Sequence, residues 1–284
     1  QAILDLYGQE KGIPIWKMFD KDKKNNNFFN QKVYASGGMY YDYQKIDYLI
    51  DEAFTIKNKG YCAWKFRPPI PKNMSHAQRL KKPPDIDIQS FCKIIPKIRE
   101  AVGEDFDLMI DFGCRLKKIE DIKYILDICK EYNYFFLEEP VSRNLNSYNS
   151  IKKITSCKIA CGEHLFSNKE IVEWCKKSSF EIFQPDVNFV GFQRHQLIKD
   201  IKKLNKSIIL HNWANGVSNY ANYHFSSLIG DVEYVEKCTI PNPLRDELLN
   251  EELNIKHGII TLSNKPGLGI SLNEKLLKKY FFEL

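Results

Sequence analysis

Short runs of strand-forming residues alternate with amphipathic helical patterns along most of this chain, and the later runs end on ionisable side chains. Candidate strands fall at 32–36, 61–66, 106–111, 134–138, 158–162, 182–184, 207–210 and 232–236. Between them lie helical patterns, one with Ile119, Ile122, Leu126 and Cys129 at helical spacing. Another opens on Ser167-Asn168-Lys169-Glu170, a capping box, and a third covers 193–204 with Leu197, Ile198 and Ile201 on one face. Strand–helix alternation of this kind builds parallel sheets, because a parallel strand must be reached by a crossover. Six consecutive strands then finish on Asp111, Glu138 (with Glu139), Glu163, Asp186, His211 and Glu236, each 23 to 27 residues from the last. That interval is one strand–helix unit, so the six groups ring the same end of the sheet. One acid after a strand means little; six without a break point to a site. A closed barrel and an open doubly wound sheet both satisfy the pattern.

Length bears on that choice. The chain has 284 residues, and an eight-unit barrel takes about 250. No stretch approaches the roughly 20 apolar residues of a membrane span, and no signal peptide is visible. A cytoplasmic protein without a membrane partner is expected, with its natural N-terminus upstream of Gln1, which is not a Met. The formal charge of +6 raises the question of nucleic acid. The lysines are dispersed, with no basic arm or aromatic–basic motif, so no nucleic-acid partner is expected. The eight cysteines include no CxxC pair, which reads as reduced residues, not a disulfide or zinc framework.

Three carboxylates converging from adjacent strands repel one another unless a cation neutralises them. Oxygen-only ligation suits Mg2+, so Asp111, Glu138 and Glu163 are the expected metal ligands. Asp186 and His211, from the next two strands, form an expected dyad in which the acid orients the imidazole and raises its basicity. The remaining histidines look incidental: His76, His195, His224 and His257 read as loop or helix-surface residues, and His164 as a neighbour of a ligand. Lys65 and Arg67 lie two apart at the end of the second strand, so period-two alternation turns both inward and Trp64 and Phe66 outward. Facing the carboxylates, this pair is placed to bind an anionic substrate. A Lys65 whose pKa were depressed by Arg67 and a metal would also exchange protons. The segment 68–84, rich in proline and lysine, reads as an irregular surface excursion.

Taken in order, Leu137-Glu138-Glu139-Pro140, Gly162-Glu163, Gln184-Pro185-Asp186 with Val190-Gly191, and His211-Asn212-Trp213 resemble the mandelate racemase subgroup of the enolase superfamily. The tail segments Pro241-Asn242-Pro243-Leu244 and Pro266-Gly267-Leu268-Gly269 are similar to acid-sugar dehydratases and cycloisomerases of that subgroup. The resemblance implies a TIM-type (β/α)7β barrel over 20–261, with 1–19 the last helix of an otherwise missing N-terminal α+β capping domain. The segment 262–284 would return to that domain. It implies Mg2+ on Asp111, Glu138 and Glu163, catalysis by His211 with Asp186, and an enediolate hydrogen bond from Glu236. Lys65 and Arg67 occupy the subgroup's Lys-x-Lys position. The implied reaction is removal of the proton alpha to a carboxylate, foremost the dehydration of a sugar acid to a 2-keto-3-deoxy acid, in a homo-oligomer. Cycloisomerisation, epimerisation or racemisation on the same scaffold is the alternative, and a silent metabolite-binding paralogue a third. Two departures stand out. Arg67 replaces the second lysine and, always protonated, is a clamp and not a base; Gly113 stands where the subgroup often has Asn.

Overall fold

A computed structural model describes residues 1–19, 26–39, 46–70, 84–253 and 255–280. Most of segment 68–84, with His76, therefore lies outside the described residues, as does the expected boundary at residue 20. Eight parallel strands close into a barrel: β1 (Phe29–Ser36), β2 (Ala63–Phe66), β3 (Asp107–Asp111), β4 (Phe136–Glu138), β5 (Ile159–Cys161), β6 (Ile182–Phe183), β7 (Ser207–Leu210) and β8 (Tyr234–Cys238). Neighbours in sequence are neighbours in the sheet. Closure comes from β1, which pairs in parallel with β8 (Val33 opposite Val235) and with β2 (Ala35 opposite Trp64). The open-sheet alternative is thereby excluded.

The first strand is longer than its apolar run suggests. Residues 29–32 pair antiparallel with β10 (Ile259–Leu262), whose other edge carries β9 (Ile255–Lys256). Alternation decides the use of each barrel strand. One inward side chain per strand (Tyr34, Ala63, Met109, Phe136, Ala160, Ile182, Ile209 and Tyr234) fills the barrel interior. The outward residues, Trp64 and Phe66 among them, stack 4.9 Å apart and join a larger core beneath the helices. Eight strands leave an interior just wide enough to be filled by side chains, so the barrel is a packed core and not a pore.

The helices follow from the same patterning. Helix Ile119–Glu131 buries Ile122, Ile125, Leu126 and Cys129, and helix Asn168–Lys177 begins at the capping box of Ser167 and Glu170, with both reciprocal hydrogen bonds formed. The stretch read as one helix over 193–204 is helix His195–Ile201 flanked by single 3-10 turns. Helix Gly216–Ile229 is buried almost throughout. On it rests the turn Ile15–Lys17, where Ile15 and Trp16 are fully buried, and helix Ala2–Lys11 packs against that turn. His224, read from the sequence as a loop or surface residue, is buried at their junction (1% exposed). Its ring accepts the Trp16 N–H at 3.1 Å on Nδ1 and meets the Leu268 carbonyl at 3.1 Å with Nε2. The helical face bearing it points at the N-terminal segment, which apolar periodicity within the helix does not reveal.

Six of the cysteines are buried, Cys62 is exposed and Cys114 partly so, and all are free. Burial pushes the thiols of Cys129 and Cys161 up, away from reactivity. Among the described residues no helix is long and apolar enough to cross a membrane.

Candidate active site

Two residues beyond the interior layer, each strand places its next inward side chain at the C-terminal mouth: Ser36, Lys65, Asp111, Glu138, Gly162, Gln184, His211 and Glu236. Strand period two thus turns a hydrophobic floor into a charged layer within one repeat. Register sets Asp111 directly opposite Glu138. The fifth strand departs from the pattern, since its inward position is a glycine. Gly162 has φ +113°, and a Cβ there would lie 2.5 Å from the Phe183 ring. That conformation, strained for any other residue, aims the following Glu163 into the mouth instead.

The acids and bases come together as the strand ends require, and they pair more tightly than expected. Lys65, 1% exposed, sits 2.7 Å from Glu138 Oε2 and 3.0 Å from Glu236 Oε1. Arg67 donates through Nε to Asp111 Oδ2 at 2.6 Å while its guanidinium lies 4.9 Å over the Trp213 ring. These cations do not face the carboxylates across a gap; they are bonded to them. Without a metal, these partners set the direction of the Lys65 pKa. Burial lowers it, but Glu138, Glu236 and the other nearby acids outweigh burial and hold the ammonium protonated. Arg67 shifts the same way, chiefly because of Asp111.

His211 donates Nδ1–H to Asp186 Oδ2 at 2.9 Å, which leaves Nε2 facing the mouth, 3.2 Å from Glu163 Oε2 and 3.9 Å from Glu236 Oε2. Burial lowers the imidazole pKa, yet the Asp186 hydrogen bond and the Glu236 and Glu163 charges win and raise it to about 9. Glu236 falls to about 2 despite its burial, held ionised by Lys65 and His211, by the Ser36 hydroxyl and by the Asn212 N–H. Glu163 is likewise held well below the carboxylate range, against burial, by the His164 hydrogen bond and the nearby His211 and Lys65 charges.

Glu138 goes the other way. Burial raises it to about 8, Lys65 opposing and Asp111, Glu236 and Glu163 reinforcing the rise. Gln184 donates to its Oε2 at 2.6 Å, while buried Oε1 has no hydrogen-bond partner among the described residues. Five carboxylates share the mouth with Lys65, Arg67 and His211, so it is short of positive charge. An all-oxygen donor set with an orphaned, buried carboxylate oxygen fits a divalent cation bound by Asp111, Glu138 and Glu163. As the side chains stand, no three His, Cys, Asp or Glu among the described residues form a ready-made ligand set. Asp111 is turned to Arg67, Glu138 to Lys65, and Glu163 to His164.

Sequence reasoning missed several supports. His164 is a 2.8 Å partner of Glu163 and no mere neighbour. Glu139, 3% exposed, accepts from Tyr148 at 2.9 Å and Arg143 at 3.0 Å, and Arg143 also reaches Glu163 at 3.5 Å. Gly113, one of the two departures, donates its N–H to Asp111 Oδ1 at 2.9 Å. The acid doubled in Glu138-Glu139 was the one available signal for this layer.

Comparison with known proteins bears on the family and the fold. A family model described as "Enolase C-terminal domain-like" matches residues 49–276. A D-gluconate dehydratase from Thermoproteus tenax is 24% identical over 98% of this chain, which spans only 54% of that protein's length. A D-galactarolactone cycloisomerase from Agrobacterium fabrum is 27% identical, with 98% and 71% covered. The crystal structure of a 3,6-anhydro-D-galactonate cycloisomerase from Zobellia galactanivorans superposes with a TM-score of 0.83 at 22% identity, over 99% of this chain and 74% of that one. At that identity the structural likeness speaks to the fold alone.

Proposed function

The chain belongs to the enolase C-terminal domain-like family, and from that premise we propose that it removes the proton alpha to the carboxylate of a sugar acid and expels the β-hydroxyl as water. The observation that carries this reading is His211. Its Nδ1 is committed to Asp186, and its Nε2 is presented to the mouth beside Glu163 and Glu236. Asp111, Glu138 and Glu163 would hold Mg2+, which when bound supplies Lewis-acid stabilisation of the developing enediolate.

The chain's own groups do the rest. Lys65, bonded to Glu138 and Glu236, is placed as a charge clamp toward an enediolate oxygen. Arg67 is also a clamp: it cannot give up its proton, and its stacking on Trp213 aims it into the mouth. Racemisation requires a base on each face of the α-carbon, and Arg67, standing where the subgroup has its second lysine, does not supply one. A single imidazole suffices for syn elimination. His211 Nε2 takes the α-proton as the C–H bond breaks, and the electron pair enters the carboxylate as an enediolate. Collapse of the enediolate breaks the β C–O bond, Nε2 returns the proton to the departing hydroxide, and water leaves. The enol then tautomerises to a 2-keto-3-deoxy acid.

The raised pKa of His211 bears on this cycle. Without added positive charge the ring is protonated at neutral pH, so it is an acid at rest. A cation on the adjacent Glu163 would bring it down into the range of a base. The division into 1–19, 20–261 and 262–284 belongs to the same proposal. An apolar stripe on helix Ala2–Lys11, with Ile3 at 83% and Leu6 at 66% exposed, supports it as a surface covered by a capping domain. The test is incubation with Mg2+ and a panel of aldonic and aldaric acids, D-gluconate first, in D2O. Proton NMR should show a 2-keto-3-deoxy product deuterated at C3, with α-deuteration of recovered substrate, in the parent protein, and neither in His211→Asn. Full exchange in that variant would remove His211 from its role; a recyclised or epimerised product would favour the isomerase chemistry.

A further inference from the structure

Helix Gly216–Ile229 carries two asparagines one turn apart, both fully buried, and their surroundings differ completely. The amide of Asn219 has no hydrogen-bond partner on either atom among the described residues. The amide of Asn222 is saturated. Its Oδ1 accepts the Val187 N–H at 3.1 Å, and its Nδ2 faces Asp186 Oδ1 at 3.1 Å, Asn212 Oδ1 at 3.2 Å and the Ser218 carbonyl at 3.3 Å. The amide has one permissible orientation, since flipping it would set oxygen against three oxygens and nitrogen against an N–H.

Two of these contacts, to Asp186 and to Asn212, lead to groups at the mouth. Asp186 Oδ1 also receives the Asn188 N–H at 2.8 Å and its amide at 2.7 Å, so that oxygen is filled and Oδ2 alone is left for His211. Asn212 grips Glu236 twice, its N–H on Oε2 at 3.0 Å and its amide on the backbone carbonyl at 2.9 Å. One buried amide therefore ties together the ends of β6, β7 and β8. A buried amide bonded to the strand-end segments that carry Asp186 and His211 does more than fill space, because each lost partner would leave a buried polar atom unpaired.

We propose that Asn222 is a positioning residue that sets the Asp186–His211 dyad and Glu236 in mutual register, through Asp186 Oδ1 on one side and Asn212 on the other. The role rests on the proposed proton transfer, and one arm of its test does not need a substrate. In Asn222→Asp the volume is unchanged and the acceptor for Val187 N–H is kept, but an oxygen now faces Asp186 and Asn212. With the six histidines 15N-labelled, the His211 Nδ1–H resonance, identified by its loss in His211→Asn, should shift or vanish in Asn222→Asp. Turnover of D-gluconate, or of whichever acid the panel yields, should fall at least tenfold in kcat with KM within about threefold. Asn219→Ala serves as the control and should leave both readouts unchanged, whatever it does to stability. Should Asn222→Asp fail to fold, Asn222→Ser, which shortens the donor, takes its place in both measurements. A folded Asn222 variant with an unaltered His211 resonance and unaltered kcat overturns the proposal, as does an equal loss in Asn219→Ala. A parent protein that turns over no acid overturns the proposed function instead, and the resonance arm still decides the role of Asn222.

Discussion

Acidification should remove the stability contributed by one imidazole on the same helix. Buried His224 bridges the Trp16 N–H and the Leu268 carbonyl, and so joins the N-terminal segment, the C-terminal segment and the barrel helix. Desolvation lowers its pKa to about 4, opposed by the Leu268 hydrogen bond and by Asp5. The folded protein therefore keeps the ring neutral, with Nδ1 free to accept, while the unfolded chain binds a proton near pH 6.5. The folded pKa is the lower of the two, so the stabilisation is complete above about pH 6.5 and is lost as pH falls toward 4. Between pH 7.5 and pH 5 the linkage amounts to about 2 kcal/mol. Equilibrium urea unfolding at those two pH values, on the parent and on His224→Gln, measures it. Glutamine offers a donor and an acceptor but does not titrate. It should cost about 1–2 kcal/mol at pH 7.5 through imperfect hydrogen bonding, and nothing or less than nothing at pH 5. If the two proteins lose the same stability on acidification, His224 is not the group responsible and its neutral bridge is misassigned.

Gly162→Ala forces a Cβ against the Phe183 ring at a φ of +113°; it should destabilise by about 2 kcal/mol or more and, by displacing Glu163, weaken Mg2+ binding in calorimetry. Normal Mg2+ affinity in that variant would break the link between the glycine and Glu163. Arg99, 3% exposed, spends its guanidinium on the carbonyls of Gly103, Phe106, Tyr132 and Asn133. Arg99→Met leaves all four unpaired and should cost about 3 kcal/mol or more in urea unfolding, and a loss under 1 kcal/mol would show that water replaces the arginine. Asp111→Asn should weaken Mg2+ binding at least tenfold, about 1.4 kcal/mol, and an unchanged Kd would take Asp111 out of the ligand set.

The arrangement of the mouth was largely legible because barrels convert sequence spacing into geometry. A strand–helix unit of 23 to 27 residues returns the chain to the same rim, so Asp111, Glu138, Glu163, Asp186, His211 and Glu236 had to meet there once the strands were parallel. Period two similarly settled that Lys65 and Arg67 turn in and Trp64 and Phe66 turn out. Both inferences use only backbone repeats, which are the same in every protein. Charge partners are another matter. Lys65 reaches Glu138 and Glu236 across 73 and 171 residues of chain, and Arg67 closes on Asp111, by the stagger of strands that the sequence does not encode locally. The sign of the Lys65 pKa shift follows from those partners, which oppose the depression considered for a lysine beside Arg67 and a metal.

The tertiary structure alone decided the standing of the polar residues on helix Gly216–Ile229. Asn219, Asn222 and His224 lie within six consecutive positions of one buried helix, and nothing in their composition separates them. The first has no hydrogen-bond partner among the described residues, the second joins three strand ends, and the third bridges two terminal segments. Helical rotation of 100° per residue points them at different neighbours: those of Asn222 come from the two preceding strand ends, and those of His224 from the two end segments of the chain. Apolar periodicity reports that a face is buried; only the packed elements determine what each buried amide or imidazole finds there.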